Sequence, residues 1–347
     1  MTDALRRFPD GLPDELLELD ALTLLRELGR PTLIRVPGDG VLPPRAITTL
    51  LHGDESTGLQ ATLHILQRRR REPFDLYVVL GNVEAAAAPP GFAHRYLDGQ
   101  EDMNRIFDRA PATTVQREAA EAIRTELLAA GLAALVDVHN NTGDNPYYAI
   151  VTDERPQTLN LATLLTTTVV RWEFRLDTLL DALHGSVATC ALECGLPGRS
   201  ASLRFAVDAL RRYLGEDELP TDRLQRDADV LGRLRRVTVR DDAQVRFGGV
   251  LDGTADLVLP PDADVHNFTE VSAGHLIGYV SPTAALPVTV TDADGRDVTA
   301  DNIAREGDRL VLIRSAVPIM MTRSEDAVRR DCLFYLAEPL SSLGDGT

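Results

Sequence analysis

The sequence predicts an α/β fold: a mostly parallel, mixed sheet with helices on both faces, followed by a smaller β-rich C-terminal domain. Three observations carry that expectation. Short apolar runs that read as buried strands alternate with amphipathic helical stretches as far as Gly215. Two of those runs stop at a histidine, His52 and His139, just beyond the carboxyl end of the strand, which is where open α/β sheets place their ligand sites. After Gly215 the texture changes to short β-type runs separated by Gly, Pro and Asp turns. The expected domains are therefore 1–222, the α/β unit, and 223–347, the β-rich unit.

Taken in order, 15–27 reads as a leucine-rich amphipathic helix, 32–36 as a first strand and 37–40 as a turn. Residues 46–51, rich in Ile, Thr and Leu, read as a buried strand, and Leu59, Leu63 and Leu66 mark a helix over 57–70. That helix is expected to end in Arg68–Arg71, a solvated cationic end that suits the helix dipole better than it suits nucleic acid. Strand 76–80 follows, then a polar, aperiodic loop from Arg95 to Arg109; a long irregular loop inside an α/β domain is usually functional. Helix 114–130, strand 133–138, the run 147–152, helix 157–169, strand 186–192 and helix 200–214 continue the alternation. In the C-terminal part 236–239, 276–280 and 310–313 read as strands, and 341–347 as a frayed end.

Composition removes several classes of function. At 347 residues and 44% hydrophobic the chain can bury a full core. The net charge of −17 speaks against a nucleic-acid or anionic-membrane surface, because either needs a basic footprint. All 36 basic residues are arginines, which excludes Schiff-base chemistry, pyridoxal phosphate attachment and a Walker-type phosphate loop, each of which needs a lysine amine. The three cysteines, Cys190, Cys194 and Cys332, lack metal-knuckle spacing and read as buried reduced thiols. No run reaches membrane-spanning length and the N-terminus carries no apolar leader, so a cytoplasmic location is expected. A homodimer is the working expectation for assembly, with no residue that argues for it.

The chemistry gathers where the strands stop. His52 and Glu55 stand three residues apart across a strand-to-helix turn, a spacing that lets an imidazole and a carboxylate face one crevice and share a divalent metal. Alone this is a weak signal, equally at home in a surface turn; His139, at the end of a second strand, supplies the third ligand. Two imidazoles and a carboxylate, with a fourth position left for water, is the catalytic zinc pattern rather than the closed structural one. Asp137, two residues before His139, faces the same side of its strand; it either orients the imidazole or is a buried capping aspartate. The other histidines, His64, His94, His184, His266 and His275, lack a partner at ligand spacing.

Four motifs, His52-Gly53-Asp54-Glu55, Asp102-Met103-Asn104-Arg105-Ile106-Phe107, Asp137-Val138-His139 and Leu192-Glu193-Cys194-Gly195, resemble in order and spacing the succinylglutamate desuccinylase and aspartoacylase family, whose fold is zinc-carboxypeptidase-like. The resemblance covers residues 45–215; Asp-Met-Asn-Arg leans to the desuccinylase side and His139-Asn140-Asn141-Thr142 to the aspartoacylase side. It implies one Zn2+ per chain on His52, Glu55 and His139, and Glu193 as general base. It also implies substrate contacts from Asn104, Arg105 and Asn140, and an arginine near the scissile carbonyl, Arg95. Two departures stand out. The segment between Arg95 and Arg105 is longer than the family pattern, and no tyrosine stands in Ser315–Met321, where aspartoacylases supply one to the substrate pocket.

The function these readings imply is zinc-dependent hydrolysis of the amide bond of an N-acyl (succinyl or acetyl) amino acid, a small-molecule substrate carrying an acidic carboxylate, with 1–222 as the catalytic domain. The alternatives are a zinc carboxypeptidase or amidase acting on small peptides, and a metal-bound binding protein without turnover. A sensor needs no general base, which is what disfavours the last.

Overall fold

The computed structural model describes residues 4–68, 70–108, 113–219, 221, 222, 224, 226–249, 251 and 253–340. Arg69, Arg109, the first residue of the expected C-terminal domain (Arg223) and the expected frayed end 341–347 lie outside the described residues. The first part of the chain forms strands β1 (Arg6–Phe8), β2 (Thr32–Val36), β3 (Arg45–Thr49), β4 (Leu76–Leu80), β5 (Ala134–His139), β6 (Tyr148–Val151), β7 (Thr168–Arg171) and β8 (Ala188–Glu193). The rest adds β9 (Asp229–Val239), β10 (Val245–Phe247), β11 (Leu257–Leu259), β12 (Leu276–Val280), β13 (Val288–Thr291), β14 (Ile303–Glu306), β15 (Arg309–Leu312), β16 (Val317–Ile319) and β17 (Phe334–Pro339).

Among the described residues these strands make two sheets. The larger runs β1-β2-β4-β3-β5-β8-β6-β7-β9-β17-β16, with β13 also on β9, and the smaller runs β10-β11-β12-β15-β14. The centre of the large sheet is parallel, β4, β3, β5 and β8 all pointing the same way. It is antiparallel where β2 meets β4, where β6 meets β8, where β13 meets β9 and where β17 meets β9 and β16. The mixed α/β sheet and the second, small sheet are the expected fold class.

Helices α1 (Asp14–Leu17), α2 (Ala21–Leu28), α3 (Ser56–Leu66), α4 (Val83–Ala87), α5 (Val115–Ala129), α6 (Pro156–Leu165), α7 (Leu179–Leu183), α8 (Ser200–Gly215) and α9 (Glu325–Arg330) complete the chain. Both faces of the central strands are apolar because both are covered. Ile47, Val78 and Val136 join one core with Leu59 of α3 and Leu210 of α8, while their neighbours Ala46, Val79 and Leu135 join another with Ile123 and Leu127 of α5 and Leu183 of α7. Each such fully buried Leu or Ile contributes about 1.5–3 kcal/mol relative to exposure.

Three boundaries differ from expectation, each for a local reason. The helix expected over 15–27 is two, α1 and α2, because Asp20 turns its carboxylate onto the Leu22 and Thr23 amides and starts a new helix. The helix expected to run to residue 70 stops at Leu66, so Arg68, Arg70 and Arg71 are exposed turn and coil residues rather than a helix terminus. The helix expected over 157–169 stops at Leu165, and 168–171 instead becomes β7, parallel to both β6 and β9. Its Thr-Val-Val run is β-branched, and the cross-strand partners outweigh the continuing helical pattern. Likewise 236–239 is the last part of β9, an eleven-residue strand that carries the large sheet into the C-terminal half.

Candidate active site

β3, β5 and β8 lie side by side and parallel, so their carboxyl ends open on one edge of the sheet. His139 and Glu193 end β5 and β8 as direct register partners. His52 follows β3 through a turn in which Leu50 holds a positive φ of 58°, a left-handed conformation that costs a leucine about 1–3 kcal/mol and is kept here by complete burial. After Glu193 the chain leaves the sheet at Gly195, whose φ of +70° a glycine adopts without strain. Glu55 caps the start of α3, and the Asn140 amide donates to its Oε2 at 3.1 Å.

Glu55 sits between the two imidazoles. Its Oε1 is 2.7 Å from His52 Nδ1 and its Oε2 is 2.7 Å from His139 Nδ1, with the two rings 5.3 Å apart. The far nitrogens face acids: His139 Nε2 lies 2.8 Å from Asp137 Oδ2 and His52 Nε2 lies 3.2 Å from Asp102 Oδ1. Asp137 is wholly buried and accepts a second hydrogen bond from Thr48 Oγ1. Burial opposes a charged imidazole, yet Asp137 and Glu55 outweigh it and hold the His139 pKa well above the usual range. At His52 burial and the nearby Arg95 also oppose protonation, and Glu55 and Asp102 again prevail. Burial likewise disfavours the Glu55 anion, but the two histidines hold its carboxyl well below the ordinary carboxylate range.

This arrangement fits a divalent cation. A neutral imidazole has one N–H and one lone pair, so a histidine with a carboxylate at each nitrogen is satisfied only as imidazolium or with a cation in place of one proton. Both His52 and His139 are in that position, with their Nδ1 atoms turned to the same point. One ligand atom each from His52, Glu55 and His139 falls within 4.8 Å of the others, and all three residues are buried. Two imidazole nitrogens and one carboxylate is a zinc-type donor set, and the aspartates behind them are the outer partners that fix ring orientation at such centres.

Around this cluster is a cavity of about 250 Å³ lined by His52, Glu55, His139, Glu193, Arg95, Asn104, Arg105 and Asn140, so all eight residues singled out in the sequence face one space. Burial pushes the Glu193 carboxyl up to about 8; His139 opposes the rise and Glu55 adds to it. The loop insertion before Asp102 does not carry Arg95 away: its carbonyl accepts from Gly53 N at 2.9 Å, and its guanidinium bonds Asp102 Oδ2 at 2.9 Å. Arg105 Nη2 lies 3.1 Å from Asp331 Oδ2. Asn104 uses its Oδ1 to accept from Leu179 N at the start of α7. The Asn140 amide is engaged at both ends, accepting from Thr57 N and donating to Gly195 O. His94 does not line the cavity; its ring lies against the Pro89 carbonyl.

Several lining residues had no signal in the sequence. Asp331, Cys332 and Tyr335 reach the cavity from the C-terminal segment, Trp172 and Leu176 from the coil after β7, and Met320 from the stretch in which a tyrosine was sought. Two tyrosines do line the cavity, Tyr148 and Tyr335. The Met320 segment is pinned to the rim: Met320 N donates to Asn145 Oδ1, Thr322 Oγ1 donates to the Thr142 carbonyl, and any side chain at Gly143 would run into the Met321 carbonyl.

Residues 43–179 match the model of the succinylglutamate desuccinylase/aspartoacylase catalytic domain. No curated protein sequence matches the chain. Among solved structures, the succinylglutamate desuccinylase of Chromobacterium violaceum superposes with a TM-score of 0.57 at 16% identity, covering 89% of this chain and 88% of that one. A succinylglutamate desuccinylase/aspartoacylase from Rhodobacter sphaeroides gives 0.58 at 17%, covering 89% of both chains. Murine aminoacylase 3 gives 0.51 at 18%, over 86% of this chain and 96% of that one. At such identities the superpositions speak for the fold, and the segment similar to the family's catalytic domain contains the His52, Glu55 and His139 cluster. Residues 43–179 are similar to the catalytic domain of that family.

Proposed function

We propose that the protein is a zinc-dependent amidohydrolase that removes the acyl group from an N-acyl amino acid, with 1–222 as its catalytic domain and 223–347 as a second domain that completes the cavity. The observation that carries this reading is the buried His52, Glu55 and His139 cluster opening on the same sheet edge and the same cavity as the Glu193 carboxyl. His52, Glu55 and His139 would hold a zinc ion, which would supply Lewis acidity for activating a water and polarising a carbonyl. Glu193 takes the proton of the attacking water on a carboxylate oxygen and returns it to the leaving nitrogen. Asp102 and Asp137 hold the two imidazoles with Nδ1 turned inward.

Arg105 reads the substrate carboxylate through its planar fork, which Asp331 holds from behind. Arg95, fixed by Asp102, presents its cation toward the carbonyl oxygen as charge develops there. Asn104 keeps its Nδ2 for the substrate, since its Oδ1 is engaged at α7. Asn140 holds the rim in place, joining Thr57 to Gly195. Among the described residues no helix is long and apolar enough to cross a membrane.

The test is release of free amine from a panel of N-acetyl and N-succinyl amino acids by zinc-loaded protein, with and without a chelator. Turnover that the chelator abolishes and zinc restores is expected. Turnover of peptides alone would favour the carboxypeptidase reading, and zinc binding with no turnover of any member would favour the binding protein.

A further inference from the structure

One face of the sheet changes chemistry over a single strand step. Paired residues of adjacent strands share a face, so the row Asp137, Ala191, Ile150, Val170 and Leu231 runs from β5 across β8, β6 and β7 to β9 on the side that bears His139 and Glu193. Its first member holds an imidazole and the remainder are aliphatic. Beyond this row the coil after β7 brings Trp172 against Tyr335 of β17, ring centroids 4.9 Å apart at 62°, with Phe174 behind at 5.6 Å from Tyr335. Ile150, Trp172, Leu176 and Met320 are only partly buried by their own core, and all four line the same cavity as the histidine cluster. Open aromatic and aliphatic surface inside a cavity is what an apolar ligand group covers.

The charges lining the cavity point the same way. Three arginines stand against six carboxylates, and a divalent cation adds two positive charges without reversing the excess. Each arginine is already engaged: Arg95 with Asp102, Arg105 with Asp331, and Arg330 over the Tyr96 ring at 5.5 Å. A single substrate carboxylate can share Arg105. A substrate with two or three carboxylates would bring the others against acids, or against the aromatic wall.

Building on the hydrolase reading above, we infer that the substrate carries one carboxylate and one apolar arm, aromatic or branched aliphatic, seated on Trp172, Leu176 and Tyr335. The protein is thus a deacylase of apolar N-acyl amino acids rather than of acidic ones. The apolar arm belongs either to the amino acid or to the acyl group, and the two are separable by experiment.

Trp172 is the only tryptophan in the chain, so its emission reports directly on the wall. Zinc-loaded full-length protein is assayed with N-acetyl-L-phenylalanine and N-acetyl-L-leucine (arm on the amine side), N-phenylacetylglycine (arm on the acyl side), N-acetylglycine, N-acetyl-L-aspartate and N-succinyl-L-glutamate. The same probes are titrated against Trp172 emission in the Glu193→Gln protein. At least one apolar probe should exceed both acidic probes in kcat/KM by about tenfold or more and shift the emission saturably, a ratio within reach of a hydrophobic pocket. Trp172→Ala should cut the preference for that probe over N-acetylglycine about tenfold, and Leu176→Arg, at a partly exposed position, should move the preference toward N-acetyl-L-aspartate. Faster turnover of the acidic probes, with no emission response to the apolar ones, would overturn the inference and leave the hydrolase reading standing. If no probe is hydrolysed the hydrolase reading fails; saturable emission shifts would then still support an apolar-ligand wall, and their absence would remove it.

Discussion

The two ends of the cavity are built in opposite ways. At the rim, His52, Glu55, His139 and Glu193 lie at or just beyond the ends of three adjacent parallel strands, each in a short local motif, and Glu55 bonds both imidazoles. The far wall is assembled from β6, the coil after β7, the Met320 segment and β17, with aromatic and aliphatic surface only partly buried. On the proposed reading, the difference teaches that reaction type would be set at the rim and choice of substrate at the wall.

Substitutions should separate those two contributions, and the largest effect is expected at the rim. His139→Ala removes one of the three proposed ligands and leaves Glu55 and Asp137 facing each other across the gap, so zinc content by metal analysis and activity should vanish together. Stoichiometric zinc in a folded His139→Ala protein would detach His139 from the metal. Next, Glu193→Gln keeps shape and charge-independent packing but cannot move a proton, a contribution worth roughly 10²–10⁴ in rate.

The pH profile gives the sign. A base must be ionised to act, so activity should rise as pH climbs through the Glu193 pKa; that pKa is about 8 from burial, against the opposing pull of His139, and a bound cation lowers it further. The variant should lose this acid limb and keep its zinc and its melting temperature. Near-normal kcat in a zinc-loaded variant would remove Glu193 from the proton transfer.

The smallest of the three effects belongs to the junction between rim and wall. Arg105→Lys keeps the charge near Asp331 but loses the fork, so kcat/KM should fall about tenfold, or ~1.4 kcal/mol, mostly through KM. An unchanged kcat/KM would move carboxylate recognition elsewhere.

The eight rim and loop residues were legible because each sits in a contiguous motif whose backbone role is also legible: an apolar run, a strand end, a glycine or a short polar turn. Arg95 is the instructive member, since loop length argued against it and two hydrogen bonds, Gly53 N to its carbonyl and its own guanidinium to Asp102, bring it in. β7 was missed because Thr168-Val169-Val170 continues a helical apolar pattern, and its strand identity exists only once β6 and β9 flank it. Asp331 has no sequence signal at all: its meaning lies in Arg105 and Arg236, 226 and 95 residues away.

By itself, then, the sequence determined the α/β class, the strand ends that carry His52, His139 and Glu193, and the absence of lysine chemistry, because those properties depend on residue type and local periodicity. The tertiary structure alone decided that both imidazoles have an acid at each nitrogen, that β9 and β17 extend the large sheet, and that Trp172 and Tyr335 wall the cavity. Those are meetings of segments far apart in the chain, set by which faces pack together, and no local pattern records them.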